Sequence, residues 1–178
     1  QAADLNDDGF LDIICGWDDG KSRWFSGDGS LCFTYQDVLA DAGTACQVLP
    51  AVGDLNKDDS LDLIVGSDCG MLMVYPSLTD STAVDLSAIC SNAELGAWLA
   101  PTVTDWNQDG IPDLAVGVFH GYVALLLGSR DGNFRFDGYV VAEEMNYKGN
   151  HNLKFGNWAV PCFADLNGDG QEDLLCGS

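Results

Sequence analysis

Short apolar runs alternate with acidic segments along the chain, at a spacing that recurs four times. The runs 13–15, 63–65, 114–116 and 174–176 each end directly before a glycine, and each follows a segment that begins with Asp. Runs this short, bounded by turn-forming residues, are typical of buried β-strands. The acidic segments begin 50, 51 and 60 residues apart, which indicates a repeat architecture.

Further strands are predicted around each run. A proline four residues before each later acidic segment leads a first strand, because proline is tolerated at the start of an edge strand; these are Pro50, Pro101 and Pro161. Third strands are predicted at 23–25, 71–75 and 122–127, and fourth strands at 31–35, 83–86 and 133–136. The turns between them are centred on Asp28-Gly29, Asp80-Ser81 and Asp131-Gly132. Four strands in about 50 residues are typical of a β-propeller blade, whose first strand lines the central channel.

Length and composition fit this architecture. The chain has 178 residues, of which 47% are apolar and 20% charged, enough for one sizeable core. We predict an all-β fold in which residues 1–178 form a single partial β-propeller of about three and a half four-stranded blades, with repeats beginning near residues 1, 50, 101 and 161. Both ends contain the same acidic segment and strand and cannot complete one another, so we expect an excerpt of a longer protein.

The charge of the chain narrows the classes of partner. It has 28 acidic and 7 basic residues and a net charge of −21. This sign repels phosphate backbones and anionic lipid headgroups, so we expect no nucleic-acid partner. The longest apolar runs are far shorter than the roughly 20 residues that cross a bilayer, so we expect no direct membrane insertion. More than half of the acids lie in the four acidic segments.

These segments carry oxygen-bearing side chains at the same positions, counted from the first Asp. We name them loop 1 (4–12), loop 2 (54–62), loop 3 (105–113) and loop 4 (165–173). Side chains at positions 1, 3, 5 and 9, with a backbone carbonyl at position 7, form the oxygen set that Ca²⁺ prefers, so we predict up to four Ca²⁺ ions, one per loop. The predicted ligands are Asp4, Asn6, Asp8, Phe10 and Asp12; Asp54, Asn56, Asp58, Ser60 and Asp62; Asp105, Asn107, Asp109, Ile111 and Asp113; and Asp165, Asn167, Asp169, Gln171 and Asp173.

Position 6 distinguishes loop 2 from the others. Gly9, Gly110 and Gly170 stand there in loops 1, 3 and 4, where the sharp turn of a calcium loop requires a positive φ. Loop 2 has Asp59 instead. Because aspartate tolerates the left-handed region less well than glycine, we predict that loop 2 is strained and binds calcium more weakly.

The loops share features with two other structures. An EF-hand also begins with acids at positions 1, 3 and 5 and glycine at 6, but it needs a Glu at position 12. Position 12 is apolar in all four copies: Cys15, Val65, Val116 and Cys176. The loops could instead be Asx-rich hairpin turns without metal. A turn needs no carboxylate at position 9, so four copies in register favour a metal site.

The repeated pattern resembles a known family. It reads Pro-x-x-x-Asp-x-Asn-x-Asp-Gly-x-x-Asp-Leu-x-x-Gly, preceded by Phe155-Gly156 in the fourth copy and Leu95-Gly96 in the third. It is similar to the FG-GAP or VCBS repeat of integrin α-subunit propellers and many secreted microbial proteins. The resemblance implies a propeller of about seven blades. It also implies calcium in the hairpin between first and second strands, and a partner-binding face at the opposite ends of the strands.

The resemblance implies a module for protein interaction, adhesion or assembly in an extracellular or secretory compartment. We expect a protein or glycan partner on the face opposite the calcium loops, and a larger chain or assembly around the module. We expect no enzyme activity in these residues, since the common nucleophile and metalloprotease motifs are absent from the sequence. The alternative is a lectin-like propeller, or the propeller of a polysaccharide-cleaving enzyme.

The cysteines invite two interpretations. Cys15 and Cys176 take the place of Val65 and Val116 in the repeat, so we predict small buried hydrophobic side chains there. Four others have no repeat equivalent and could pair in an oxidising compartment, though the sequence does not give the connectivity: Cys32, Cys46, Cys69 and Cys90.

The irregular segment 141–158 lengthens the third repeat spacing. We predict a recognition loop there, with Tyr147 among its aromatic residues, since loops on rigid scaffolds often carry function. Trp98 and Trp158 each stand seven residues before a first Asp. This shared position favours a role in blade packing over a role as sugar platforms.

Overall fold

The computed structural model of the chain describes residues 1–79, 82–143 and 150–178. Three four-stranded antiparallel sheets follow one another, each ordered from its first to its fourth strand. They comprise β1 (Ala2–Ala3), β2 (Asp12–Gly16), β3 (Lys21–Gly27) and β4 (Phe33–Asp41); β5 (Val48–Gly53), β6 (Asp62–Ser67), β7 (Leu72–Tyr75) and β8 (Val84–Asp85); and β9 (Ala100–Thr104), β10 (Asp113–Gly117), β11 (Val123–Gly128) and β12 (Phe134–Tyr139).

The remaining elements form a half blade and two additions. A pair of antiparallel strands makes the half blade: β15 (Val160–Ala164) and β16 (Asp173–Gly177). The additions are the helix α1 (Ser87–Asn92) and the pair β13 (Val141–Glu143) and β14 (Asn150–Asn152). The prediction of an all-β propeller segment of about three and a half blades is confirmed. The sequence pattern predicts neither α1 nor the β13–β14 pair.

The core lies between neighbouring sheets, because alternate residues of each second strand face opposite neighbours. Leu63 and Val65 of β6 pack with Ile14 in the core between the first two sheets. Ile64 lies between them in sequence and packs in the core between the second and third sheets. Ala115 of β10 packs in turn toward the half blade. This sharing of each sheet by two cores is what a propeller requires.

Helix α1 fills a gap in the core between the second and third sheets. The fourth strand of the second sheet has only two residues, Val84–Asp85, and the chain then turns into the helix. Cys90 of α1 is buried among Leu72, Leu95 and Leu126. A six-residue helix is too short to show a helical period, which is why the apolar pattern does not indicate it.

Glycine and proline of the repeat meet at the blade junctions. The first strands of neighbouring blades lie side by side. A Cβ on Gly66 would come 1.9 Å from the Leu99 carbonyl oxygen and 2.8 Å from Pro101 Cδ of the next blade. Gly16 and Gly117 face the same pair of atoms in their own next blades. In the three complete blades, the glycine at the end of the second strand is therefore required by close approach of the next blade's proline-bearing strand.

Several predicted strand bounds differ from the structure. The third strand predicted at 23–25 is longer than predicted and corresponds to β3. The fourth strand predicted at 31–35 begins two residues later and corresponds to β4. The Ser30 N–H donates to Asp28 Oδ1 at 2.9 Å, which prolongs the turn and leaves Leu31 98% exposed. The repeat prolines do not stand at the first residue of their edge strands. Pro50, for example, is the third residue of β5. The predicted turn at 80–81 lies outside the described residues.

No helix among the described residues is long and apolar enough to cross a bilayer.

Candidate metal centres

Each of the four acidic loops connects the first and second strands of a blade. Loops 1, 2, 3 and 4 follow β1, β5, β9 and β15 respectively, and the position 9 aspartate opens the next strand in each case. The loops therefore lie at the same end of successive blades. This is the placement that the sequence predicts.

Backbone N–H groups orient the aspartate at position 1 in the same way in all four loops. Its Oδ2 accepts a hydrogen bond from the N–H of position 6, at 2.8 Å in loop 1, 3.0 Å in loop 2 and 2.9 Å in loops 3 and 4. Its Oδ1 accepts from the N–H of position 5 at 3.1 to 3.2 Å. The loop thus closes around the side chain of its first residue.

Positions 3 and 5 form a second shared set of hydrogen bonds. The asparagine Oδ1 at position 3 accepts from the N–H of position 5, and the aspartate Oδ1 at position 5 accepts from the N–H of position 7. In loops 1, 2 and 3 the asparagine Nδ2 also donates to the aspartate Oδ2 at 3.0 Å. Three side chains are therefore held by the backbone of their own loop.

The aspartate at position 9 has a different role, because it is buried in the three complete blades and partly buried in the half blade. Asp12, Asp62 and Asp113 are 0%, 1% and 0% exposed. In every loop the Oδ2 accepts from the N–H of position 2, at 2.7 to 3.1 Å. In the first and third blades the Oδ1 also accepts from a glycine N–H at the end of the third strand, Gly27 or Gly128. This carboxylate ties the loop to the body of its blade.

Loop 2 lacks this second bond. The residue equivalent to Gly27 is Ser77, and β7 ends at Tyr75, directly before Pro76. The buried Asp62 Oδ1 consequently has no hydrogen-bond partner among the described residues. A buried unpaired carboxylate oxygen is costly, so loop 2 is joined less firmly to its blade than loops 1 and 3.

The backbone of the loops shows the predicted positive φ at position 6 and a second left-handed residue at position 4. Asp59 at position 6 has a φ of 65°, where the equivalent glycines have 82° to 86°. Position 4 is also left-handed, at Asp7, Lys57 and Gln108 with φ of 57° to 60° and at Gly168 with 78°. Loop 2 therefore holds two non-glycine residues in this region, loops 1 and 3 hold one, and loop 4 holds none. Position 4 gives no such signal in the sequence, because only loop 4 has glycine there.

Burial and hydrogen bonding shift the pKa values of the loop aspartates in opposite directions. Burial raises the pKa of Asp62 and of Asp113 above the ordinary value of an aspartate. Hydrogen bonds from backbone N–H groups, first that of Gly170, lower the pKa of the exposed Asp165. Loop 4 therefore favours the charged carboxylate at position 1, whereas burial opposes the charge at position 9 in loops 2 and 3.

The donor set of each loop suits a hard cation. Every predicted side-chain ligand offers oxygen. An ionised carboxylate has about four acceptor sites, so the two or three N–H groups bound to the aspartate at position 1 leave a lone pair for an ion. The three carboxylates of a loop do not lie within 4.8 Å of one another; among the described residues, the only such group is Cys46, Asp68 and Cys69. Repulsion between like charges keeps carboxylates apart unless a cation compensates for it. A bound calcium would be held by the ligands predicted for each loop.

The group at Cys46 is a disulfide and not a metal site. Cys46 and Cys69 are bonded, with their Cα atoms 6.0 Å apart, and they join the connection before β5 to the turn after β6. Pairing among the cysteines without repeat equivalents is thus confirmed for one pair, whereas Cys32 and Cys90 are free thiols. Cys15 and Cys176 are only half-buried, whereas the sequence predicts that both are buried. Their blades lie at the two ends of the row, so neither residue has a complete blade on both sides.

Aromatic residues gather at the end of the blades opposite the loops. Phe119, in the turn after β10, lies edge-on to Trp158, with ring centroids 5.7 Å apart, and Trp98 lies 6.4 Å from Trp158. Trp158 is 49% exposed and Phe119 is 40% exposed. The two tryptophans pack across one blade junction, as the repeat position indicates, and still present an open aromatic surface. Residues 144–149, including the predicted recognition residue Tyr147, lie outside the described residues.

Comparison with known protein families identifies the repeats. The family profile of the FG-GAP-like repeat matches residues 4–65, 54–116 and 105–176, which together span nearly the whole chain. The chain belongs to the FG-GAP-like repeat family. Each match of this FG-GAP-like chain runs from one acidic loop to the strand after the next loop, so the profile contains the loops described above.

The chain is also similar to part of a named enzyme. It is 30% identical to human phosphatidylinositol-glycan-specific phospholipase D over 125 residues, 65% of this chain and 14% of that protein. It is 29% identical to the rat protein of the same name over 158 residues, 72% of this chain and 18% of that protein. The chain thus spans less than a fifth of the length of these relatives. No solved structure matches the chain.

Proposed function

We propose that the four loops each bind one Ca²⁺ ion and that the chain is a calcium-stabilised interaction module of a larger protein. The observation that carries the proposal is the shared geometry of the loops. The same hydrogen bonds hold the aspartate at position 1 in four separate loops. Three of these loops form this arrangement although it places a non-glycine residue in the strained left-handed region. Hairpin turns without a ligand have no need of this arrangement.

Calcium would neutralise the charge of each loop and hold its side chains in one arrangement. The side chains at positions 1, 3, 5 and 9 and the carbonyl at position 7 would hold the ion, and a bound Ca²⁺ supplies the positive charge that lets these oxygens converge. The position 9 aspartate is bonded to the loop and, in the first and third blades, to the third strand. An ion bound there would therefore tie the hairpin to the rest of the blade.

The opposite end of the blades is the proposed binding face for a protein or glycan partner. The exposed rings of Phe119 and Trp158 support this choice, because aromatic residues are enriched at binding surfaces. Trp17 at the same end of the first blade is 37% exposed, with Arg23 stacked 5.0 Å from its ring centre. The Cys46–Cys69 disulfide supports an extracellular or secretory compartment, where such bonds persist.

A calcium titration by isothermal calorimetry tests the proposal. The expected result is four bound ions per chain. Asp109→Asn keeps an acceptor oxygen for the Ile111 N–H but removes a carboxylate from loop 3, so it should lower the number of ions to three. Asp37→Asn, at an exposed acid outside the loops, is the matched control and should leave four. Absence of binding, or the same loss in both variants, would contradict the proposal.

A second candidate function is that of a module within an enzyme. The similarity to phosphatidylinositol-glycan-specific phospholipase D favours it over the polysaccharide-cleaving alternative. The chain itself would then support a catalytic part elsewhere in the parent protein. Assaying the full-length parent for cleavage of a phosphatidylinositol-glycan, beside this chain alone, tests the idea. Activity in the parent and none in the chain is expected, and an inactive parent would count against it.

A further inference from the structure

Asn167, at position 3 of loop 4, differs from its counterparts in the residue that follows it. That residue is Gly168, whereas Asp7, Lys57 and Gln108 stand there in loops 1, 2 and 3. Asn167 is the only asparagine in the sequence that is followed by glycine. Because glycine has no side chain, it leaves its own peptide nitrogen unshielded. The peptide nitrogen after an asparagine is the nucleophile in the spontaneous loss of the side-chain amide.

Gly168 relieves the strain that the other loops carry at position 4. Its φ is 78°, and the non-glycine residues at this position have a φ of 57° to 60°. A Cβ on Gly168 would meet nothing within 4 Å, so packing does not require a glycine there. Asn167 and Gly168 are both exposed, which gives water access to the side-chain amide and to the peptide nitrogen.

A hydrogen bond brings the Asn167 side chain close to this nitrogen. Asn167 Oδ1 accepts from the Asp169 N–H at 2.8 Å, and the ring that this bond closes includes the Gly168 nitrogen. Such an Asx turn folds the side chain back along the peptide bond between Asn167 and Gly168. The amide carbon and the nitrogen that would attack it therefore lie in one tight turn.

Two hydrogen-bonding differences set loop 4 apart from the other described loops. The Gly168 N–H donates to Asp165 Oδ1 at 2.6 Å, and no other position 4 N–H donates to the position 1 carboxylate. A charge-assisted bond of this kind increases the electron density on the nitrogen. In loops 1, 2 and 3 the asparagine Nδ2 donates to the aspartate at position 5, but Asn167 Nδ2 makes no such bond. The leaving group is therefore free of the contact that restrains it elsewhere.

We propose that Asn167 is a deamidation site. The Gly168 nitrogen attacks Asn167 Cγ, so that an N–Cγ bond forms and the Cγ–Nδ2 bond breaks. Nδ2 leaves as ammonia, which takes up the proton that the Gly168 nitrogen loses. Water then opens the cyclic imide at one of its two carbonyl carbons. Opening at Cγ gives aspartate, and opening at the main-chain carbonyl carbon gives isoaspartate.

Both products add a carboxylate at position 3 of loop 4, where the other loops keep an amide. Isoaspartate also lengthens the main chain of the loop by a carbon atom. A change in the calcium affinity of loop 4 follows only if the loop binds calcium as proposed above. The modification itself goes beyond that proposal and does not depend on it.

Peptide mapping by mass spectrometry of the aged chain tests the proposal. The chain is incubated in mildly alkaline buffer with calcium and with chelator, and circular dichroism shows which samples are folded. In every folded sample, the peptide with Asn167 should gain about 1 Da, the difference between an amide and an acid, before the peptides of the other loop asparagines do. Those asparagines are Asn6, Asn56 and Asn107. A chain that binds no calcium is still tested in chelator if it is folded there, so failure of the calcium proposal is a separate result.

Two glycine variants of loop 4 separate the reaction from a general effect of strain. Gly168→Gln gives loop 4 the residue of loop 3 at position 4 and keeps every predicted ligand, so it should abolish the mass gain at Asn167. Gly170→Asp is the matched control, because it also places a side chain in the left-handed region and leaves the Asn167-Gly168 pair intact. It should retain the mass gain.

Circular dichroism verifies that both variants fold. Isoaspartate in the modified peptide would support the route through the cyclic imide. The proposal is overturned if Asn167 in the folded chain gains mass no faster than the other three loop asparagines. It is also overturned if Asn167 is modified as fast in Gly168→Gln as in Gly170→Asp.

Discussion

Asp59 occupies a backbone conformation that the other three loops give to glycine. With a φ of 65°, it carries a cost of about 1 kcal/mol for its β-carbon, which is about fivefold in affinity. We predict that Asp59→Gly tightens calcium binding at loop 2 by about this factor. The matched change is Gly110→Asp in loop 3, where an added Cβ has open space, so only the conformation is penalised. Calorimetric titration should show the two variants moving in opposite directions, and equal or weaker binding after Asp59→Gly would refute the ranking.

The buried aspartates at position 9 should make calcium binding sensitive to acid. Burial raises the pKa of Asp62 and Asp113, so as pH falls toward the raised values these groups take up a proton before an ordinary aspartate does. The lowered pKa of Asp165 keeps its charge to lower pH. Titrations at pH 7 and pH 5 should show that loops 2 and 3 lose more affinity than loop 4. A uniform loss in all loops would contradict this prediction.

Because glycine and proline are in close contact at the blade junctions, adding one methyl group to this glycine should lower the free energy of unfolding strongly. A Cβ on Gly66 would overlap the Leu99 carbonyl oxygen, so Gly66→Ala must push two blades apart. We expect a loss of about 3 kcal/mol or more in the free energy of unfolding. Gly177→Ala is the control, because it occupies the same repeat position with nothing within 4 Å. Chemical denaturation of both variants gives the comparison, and similar losses would show that the inter-blade contact is not the cause.

The disulfide joins two connections across a closed loop of 23 residues. A crosslink of this length stabilises a chain by about 3 kcal/mol, mainly by restricting the unfolded state. We predict that Cys46→Ser lowers the free energy of unfolding by about that amount. Cys32→Ser, at an exposed free thiol, should have no measurable effect. If Cys46→Ser unfolds at the same denaturant concentration as the unmodified chain, the disulfide does not stabilise the fold.

Elements that repeat are predicted well from the sequence, and elements that do not repeat are predicted poorly. The apolar runs before each repeat glycine locate β2, β6, β10 and β16. Burial on both faces accounts for the continuous apolar run of β6 and β10, and β2 and β16 carry the same run as members of the repeat. Helix α1 and the β4 boundary depend on single junctions and single Asx turns, which give no periodic signal. Within the loops, the ligand positions recur and are predicted from the sequence. The left-handed position 4 is not, because Asp7, Lys57 and Gln108 occupy it instead of glycine.

At the scale of the whole chain, the acidic loops concentrate charge that the fold must accommodate. Four bound calcium ions would change the net charge from −21 to about −13. With free calcium about tenfold above the dissociation constant, each site would add about 1.4 kcal/mol and four independent sites about 6 kcal/mol. This sum is comparable to the whole stability of a typical domain. Calcium would therefore decide whether the blades stay folded.

Thermal and chemical unfolding in millimolar calcium and in chelator measures this dependence directly. We predict a free energy of unfolding about 6 kcal/mol higher in calcium, with a higher melting temperature. Magnesium at the same concentration is the control for ionic strength and should give a much smaller shift, because it demands a tighter octahedral site. An unfolding transition that is the same in calcium and in chelator would contradict the claim that these four loops bind calcium and stabilise the propeller.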